Sequence, residues 1–141
     1  MSDIERAVDL LHSGGYTIVI INGEDIITDT ARGVAPLLSL IDRGISLEGA
    51  SAADKVVGRA AAMLFSLTGI KWLHTDVISA PSVEFLRGTD ISFSYGEITE
   101  YIINRKGDGQ CPMELAVTDI SDAVEGLAAI RKRINELRKD N

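Results

Sequence analysis

Apolar positions recur at helical spacing from the start of the chain. Ile4, Val8 and Leu11 fall on one face, behind Ser2 and Glu5, which form a capping box, and Gly14-Gly15 stops the pattern. The period then changes. Thr17 to Ile21 is a β-branched run, Asn22-Gly23 follows, and Asp25-Ile26-Ile27-Thr28 is a second run. Asn-Gly between two such runs is the strongest short-range hairpin signal, so an antiparallel pair is predicted here.

A second helix is predicted from Val34 to Arg43, with Pro36 in its first turn and Gly44 closing it. A third is predicted from Ser51, paired with Asp54 as a cap, through Val56, Val57, Ala60, Met63, Leu64 and Leu67 to Gly69. Trp72 to Ile78 reads as a strand, Pro81 to Arg87 as a short helix closed by Gly88, and Ile91 to Tyr95 as another strand. That last run alternates Ile91, Phe93 and Tyr95 with Ser92 and Ser94, which gives it one apolar face. After a polar loop, Val117, Ile120, Val124, Leu127, Ile130, Ile134 and Leu137 mark one long amphipathic helix.

A hairpin first, then helices alternating with strands, predicts an α/β fold. Its architecture is a three-layer α-β-α arrangement around a mixed sheet begun by the hairpin. No internal repeat or linker-like stretch interrupts it. The chain reads as one domain over 1–141, with an N-terminal helix and a long C-terminal helix.

Composition narrows the function classes. With 45% apolar and 25% charged residues, the chain has the make-up of a folded globular protein and not of a disordered one. A formal net charge of −7 argues against a general nucleic-acid binder or a membrane-surface binder, since both partners are anions. The single cysteine makes no internal disulfide and suits a reducing compartment. The polar Met1-Ser2-Asp3-Ile4-Glu5-Arg6 start and the lack of a long apolar run complete the expectation of a cytoplasmic location.

From Asp54 to Glu114 the chain resembles a family of prokaryotic proteins, the domain of unknown function numbered 1893. The matching residues are Asp54-Lys55-Val56-Val57-Gly58-Arg59-Ala60-Ala61-Ala62, Val77-Ile78-Ser79, Ser94-Tyr95-Gly96, Tyr101-Ile102-Ile103-Asn104-Arg105 and Cys111-Pro112-Met113-Glu114. With the hairpin in front, the similarity spans most of residues 15 to 117. The resemblance implies a cytidine-deaminase-like fold, and it implies no settled activity.

A zinc deaminase needs a His or Cys with a Glu at the start of one helix, and Pro-Cys-x-x-Cys at the start of the next. Here the second turn reads Ser79-Ala80-Pro81-Ser82-Val83-Glu84-Phe85, so Ser82 and Phe85 stand where cysteines would be. The first, Ala52-Ala53-Asp54-Lys55, has no His. His12, remote in sequence, His74, in mid-strand, and Cys111 are too scattered to form a tetrahedral site. No metal or other cofactor is expected.

The candidate chemistry gathers around Cys111. Proline favours the first helical position, so Pro112 places Cys111 at the N-cap and Glu114 at the third helical position. Free backbone N–H groups there lower a thiol pKa from about 8.5. Cys111 is the candidate nucleophile, with Glu114 as a proton shuttle or backbone cap, and the competing reading is a small, inert buried thiol. The loop Asn104-Arg105-Lys106-Gly107-Asp108-Gly109-Gln110 offers Asn104, Arg105, Gly107 and Gly109 as ligand contacts, or is a plain surface turn. Lys55, expected at a helix start, is a candidate anion-binding or catalytic group, and solvent exposure is its simpler account. Tyr95 lines the same cleft or completes a core face.

Three functions fit these residues. The first is a metal-independent binder or enzyme for an anionic, nucleotide-like small molecule. The second is a non-catalytic ligand-binding or regulatory domain. The third is an interaction module whose long last helix assembles a homodimer.

Overall fold

Ser2 caps the first helix as its spacing predicts. Its hydroxyl accepts from Glu5 N at 3.3 Å, and the Glu5 carboxylate reaches back to the Ser2 backbone N. The computed structural model describes residues 1–104 and 106–139. Helix α1 spans Asp3–Gly14 and ends at Gly15, whose φ of 72° is the left-handed conformation glycine favours. Strands β1 (Ile18–Asn22) and β2 (Asp25–Asp29) form the antiparallel hairpin, with Asn22 opposite Asp25 and Gly23 at positive φ in the turn. Helix α2 follows over Ala35–Asp42, with Pro36 in its first turn.

The next stretch departs from the sequence pattern. Ser51–Val57 is strand β3, and the helix α3 covers only Arg59–Thr68. Ala and Val fit either period, and tertiary pairing decides. β3 lies between β1 and the parallel strand β4 (Trp72–Ser79), where Ala52 and Ala53 are fully buried, one on each face. Gly58 is the break between strand and helix. Ser51 and Asp54 therefore form no helix cap: Ser51 sits opposite Ile21 and Trp72, and Asp54 opposite Ile18 and Thr75.

Helix α4 (Ala80–Arg87) starts at Ser79, whose hydroxyl accepts from Ser82 N at 3.2 Å. Strand β5 (Ser92–Thr99) pairs in parallel with β4 and forms one edge of the sheet. The order β2-β1-β3-β4-β5 mixes antiparallel and parallel pairs, as the α/β reading requires. Tyr95 does not complete a buried face: on this edge strand it is 42% exposed.

The long C-terminal helix is also divided. A short helix, α5, spans Pro112–Ala116, and α6 begins at Ala123 and runs to Lys139. Asp122 makes the second start, its carboxylate accepting from Glu125 N at 2.9 Å. Val117 and Ile120 still join the core through the intervening turn, so the apolar spacing survives the break in the helix.

α1 covers one face of the sheet through Ala7 and Leu11, packed on Val19, Ile21 and Ala53. The larger core lies on the other face, under α2 to α6, and centres on α3 with Met63, Leu64 and Phe65 fully buried. Ala52 and Val57 of β3 both belong to this core, as do Leu73 and Ile78 of β4. Five residues apart, they would face opposite ways in regular strands, so both strands change phase near Asp54 and Thr75. Among the described residues, no helix is long and apolar enough to cross a membrane.

Candidate functional site

Asp54, Lys55 and Val56, around that change of phase, line an open groove of about 1670 Å³. The start of α2, the segment around α5 and the end of α6 form its other walls, and Ala60 and Ala61 of α3 leave room at its floor. Arg32, Arg43, Lys55, Lys106, Arg131 and Arg138 all line it, which is six of the chain's 14 lysines and arginines. On a protein of net charge −7 this is a local inversion of sign.

Four acidic residues share the groove, and the fold engages three of them. Asp42 pairs with Arg131 at 2.6 Å, and Asp108 accepts from the Asn104 amide at 2.8 Å. Glu114 is bound most completely. Its two oxygens accept from the backbone N–H groups of Arg59 and Ala60, each at 2.7 Å, and so cap α3 from far along the chain. A Cβ on Gly58 would run into that carboxylate, so glycine allows the close approach. Burial raises the Glu114 pKa, while the two amides and the Arg59 charge hold it back.

Asp54 is the fourth. It is half-buried on β3, and its Oδ1 accepts from Val56 N at 3.3 Å. Among the described residues no side chain donates to it. Burial pushes its pKa up to about 7, against the Val56 and Lys55 amides that lower it. A carboxylate poised near neutrality in a cleft is a functional-site signature that the sequence reading missed, because a supposed helix cap had accounted for this residue.

The other candidates fall into two groups. Cys111 is the N-cap of α5 with Pro112 behind it, half-buried, and it lines the groove. Its sulfur makes no capping hydrogen bond, and α5 is only 5 residues long. Lys55 lies on β3 and not at a helix start, yet it also lines the groove. Both oxygens of Glu114 are engaged by the start of α3. Asn104 lines the groove too, but its amide and backbone tie the loop to itself: Asn104 N donates to Gly109 O at 2.8 Å and Gly107 N to Asn104 O at 3.1 Å. Gly107 supplies a φ of 75° for that turn, and Gly109 allows the chain to return beside Asn104. Arg105 lies outside the described residues. Tyr95, on the edge strand, is not brought to the groove.

A second polar cluster lies on the α1 face. His12 Nε2 is 2.8 Å from Asp76 Oδ1, His74 Nε2 is 3.5 Å from the same oxygen, and His74 Nδ1 is 2.9 Å from Ser94 Oγ. His12 is remote only in sequence, because α1 lies across the strands. Among the described residues, no three His, Cys, Asp or Glu side chains are arranged to hold a metal ion.

Comparison with known proteins agrees with this fold. The family model described as TM1506, a domain of unknown function (DUF1893), matches residues 6–134. The chain belongs to this family. A crystal structure of a DUF1893 family protein from Thermotoga maritima superposes with a TM-score of 0.84 at 27% identity, over 96% of this chain and 91% of the other. No curated protein matches the chain. The DUF1893 match ends at residue 134 within α6, so it takes in the β3, α2 and α5 walls of the groove but not Asn135, Leu137 and Arg138 at its α6 end.

Proposed function

We propose that this DUF1893 protein binds an anionic, nucleotide-like small molecule in the groove between β3, α2, α5 and α6. The observation that carries the reading is the gathering of six cationic side chains around one groove on a net acidic chain. Cations around a concave surface raise the local concentration of anions and hold their oxygens by charge-assisted hydrogen bonds. The hairpin-edged mixed sheet supports a deaminase-like fold. The Ser82 and Phe85 positions support metal-independent action, because neither supplies a thiolate.

The test is calorimetric titration with AMP, ATP and inorganic pyrophosphate at low salt. Binding should weaken as salt rises and fall several-fold in Lys55→Met and Lys106→Met. Absence of binding to all three anions, with no response to either substitution, would remove the reading.

A second reading keeps catalysis. Cys111 lines the same groove and is half-buried rather than sealed in the core. As nucleophile it would have Lys55 to stabilise anionic charge, and Asp54, in place of Glu114, as the group whose pKa suits proton transfer. Trapping an adduct on Cys111 in protein purified from cells, by intact mass, separates enzyme from binding module. For assembly we infer a homodimer. Part of the long helix is already used within the chain, since Gly126 and Ile130 of α6 are buried in its own core and Gly126 lies against Met63. Support comes from the β5 edge, where Tyr95 and Ile98 are exposed.

A further inference from the structure

The groove's cations account for an anion, but they leave Asp54 without an assignment. Arg131 holds Asp42, Asn104 holds Asp108 and the α3 amides hold Glu114. Asp54 receives only backbone amides along one edge, and among the described residues it forms no ion pair. Lys55 lines the same groove but forms no ion pair with it. Two residues after Ala52, this carboxylate nevertheless lies on the same face of the sheet and lines the groove, where its remaining acceptor capacity is open. A half-buried carboxylate is costly to keep in a fold unless donors satisfy it. A ligand bearing only negative charge would meet it as repulsion. A ligand with N–H donors beside its anionic group would satisfy the carboxylate and the cations together.

The geometry points to an anionic ligand that also carries an amino or amidine nitrogen, bound with its N–H groups on Asp54 and its phosphate or carboxylate among the groove's cations. This deepens the groove reading above and rests on it. Asp54 then acts as the specificity residue: the cations admit anions in general, and Asp54 selects those with a donor nitrogen. Burial at this position raises its pKa to about 7.

Two probe pairs test the assignment, each differing by one amino group: glucosamine 6-phosphate against glucose 6-phosphate, and GMP against IMP. Titration calorimetry on the whole chain should show the nitrogen-bearing member of at least one pair binding about tenfold more tightly, as one good charge-assisted contact provides. Asp54→Asn and Asp54→Ser, with folding checked by circular dichroism, should both erase that advantage and leave the weaker member unchanged or slightly improved. If both pairs bind alike to the wild type, or if the advantage persists in both variants, Asp54 is not the selector and the inference is overturned, while the anion groove stands. If no phosphate binds and Lys55→Met changes nothing, the groove reading itself fails, and this inference with it.

Discussion

On the α1 face of the sheet, His12, His74, Asp76 and Ser94 satisfy one another, each within hydrogen-bond or ion-pair reach of the next. On the groove face, Asp54 sits in a comparable position on the neighbouring strand and finds only backbone. Both clusters place a carboxylate on a central strand of the same sheet. The difference is whether the fold supplies the partner. Where it does, the polar group ties a helix to a sheet and needs nothing further. Where it does not, the carboxylate shifts toward its neutral form and remains open to an outside donor. An unsatisfied group therefore marks the proposed ligand side of this molecule more clearly than does the number of polar residues.

The comparison is broken most forcefully at Glu114. Glu114→Ala removes the acceptor from two amides at the start of α3 and should cost about 2–3 kcal/mol in urea denaturation. A loss below about 0.5 kcal/mol would mean that water replaces the carboxylate and that the cap is incidental.

Asp54→Asn should act in the opposite direction. The folded pKa of Asp54 is raised from 3.8 to about 7, so its contribution to stability is full below about pH 4 and is lost as pH rises through 7. Replacing it with Asn should stabilise the protein by about 1–3 kcal/mol at pH 8, a figure reduced for its exposure to the groove. The gain should shrink steadily toward pH 4. A destabilised variant at pH 8 would show that the carboxylate already has a partner in the free protein.

The α1 face predicts a smaller effect. His12→Ala removes an exposed pair and should cost about 1 kcal/mol or less, with no change in anion binding at the groove. Altered binding there would couple the two faces and undo the contrast between them. The smallest energetic change is expected at Cys111→Ser, within about 0.5 kcal/mol of the wild type, since the side chain makes no capping bond. The same thiol should react with iodoacetamide in the folded protein. Labelling only after denaturation would make Cys111 core packing and end the nucleophile reading.

Much of the fold was legible because local and tertiary signals agreed. The Ser2 and Glu5 pair, the Asn22-Gly23 turn and the Pro-led starts of α2, α4 and α5 each have one low-energy conformation and adopt it. β3 was not legible, because Ala52-Ala53 and Val56-Val57 satisfy helix and strand periods alike. Only their burial between β1 and β4 decides, and no local residue records that pairing. The error carried into the site: as supposed helix caps, Asp54 was explained away and Lys55 misplaced. Gly58 was the missed stop signal, and Asp122 with Glu125 the missed start of α6. Cys111 and the loop before it were found because Pro112 marks a boundary wherever it occurs. The role of Glu114 depends on a contact 55 residues away, which no window of sequence reveals.

That distance also sets an order of events during synthesis. The amides of Arg59 and Ala60 leave the ribosome well before their cap, by 55 and 54 residues, or roughly 3 to 11 s at typical elongation rates of about 5–20 residues per second. All five strands precede Glu114 in the chain, so the sheet can assemble while the front of α3 is still open. The same late stretch carries Lys106 and Cys111, and α6 follows it. The groove is consequently the last part of the molecule to be completed, and a nascent chain halted before residue 114 presents a nearly finished sheet with its groove still unbuilt.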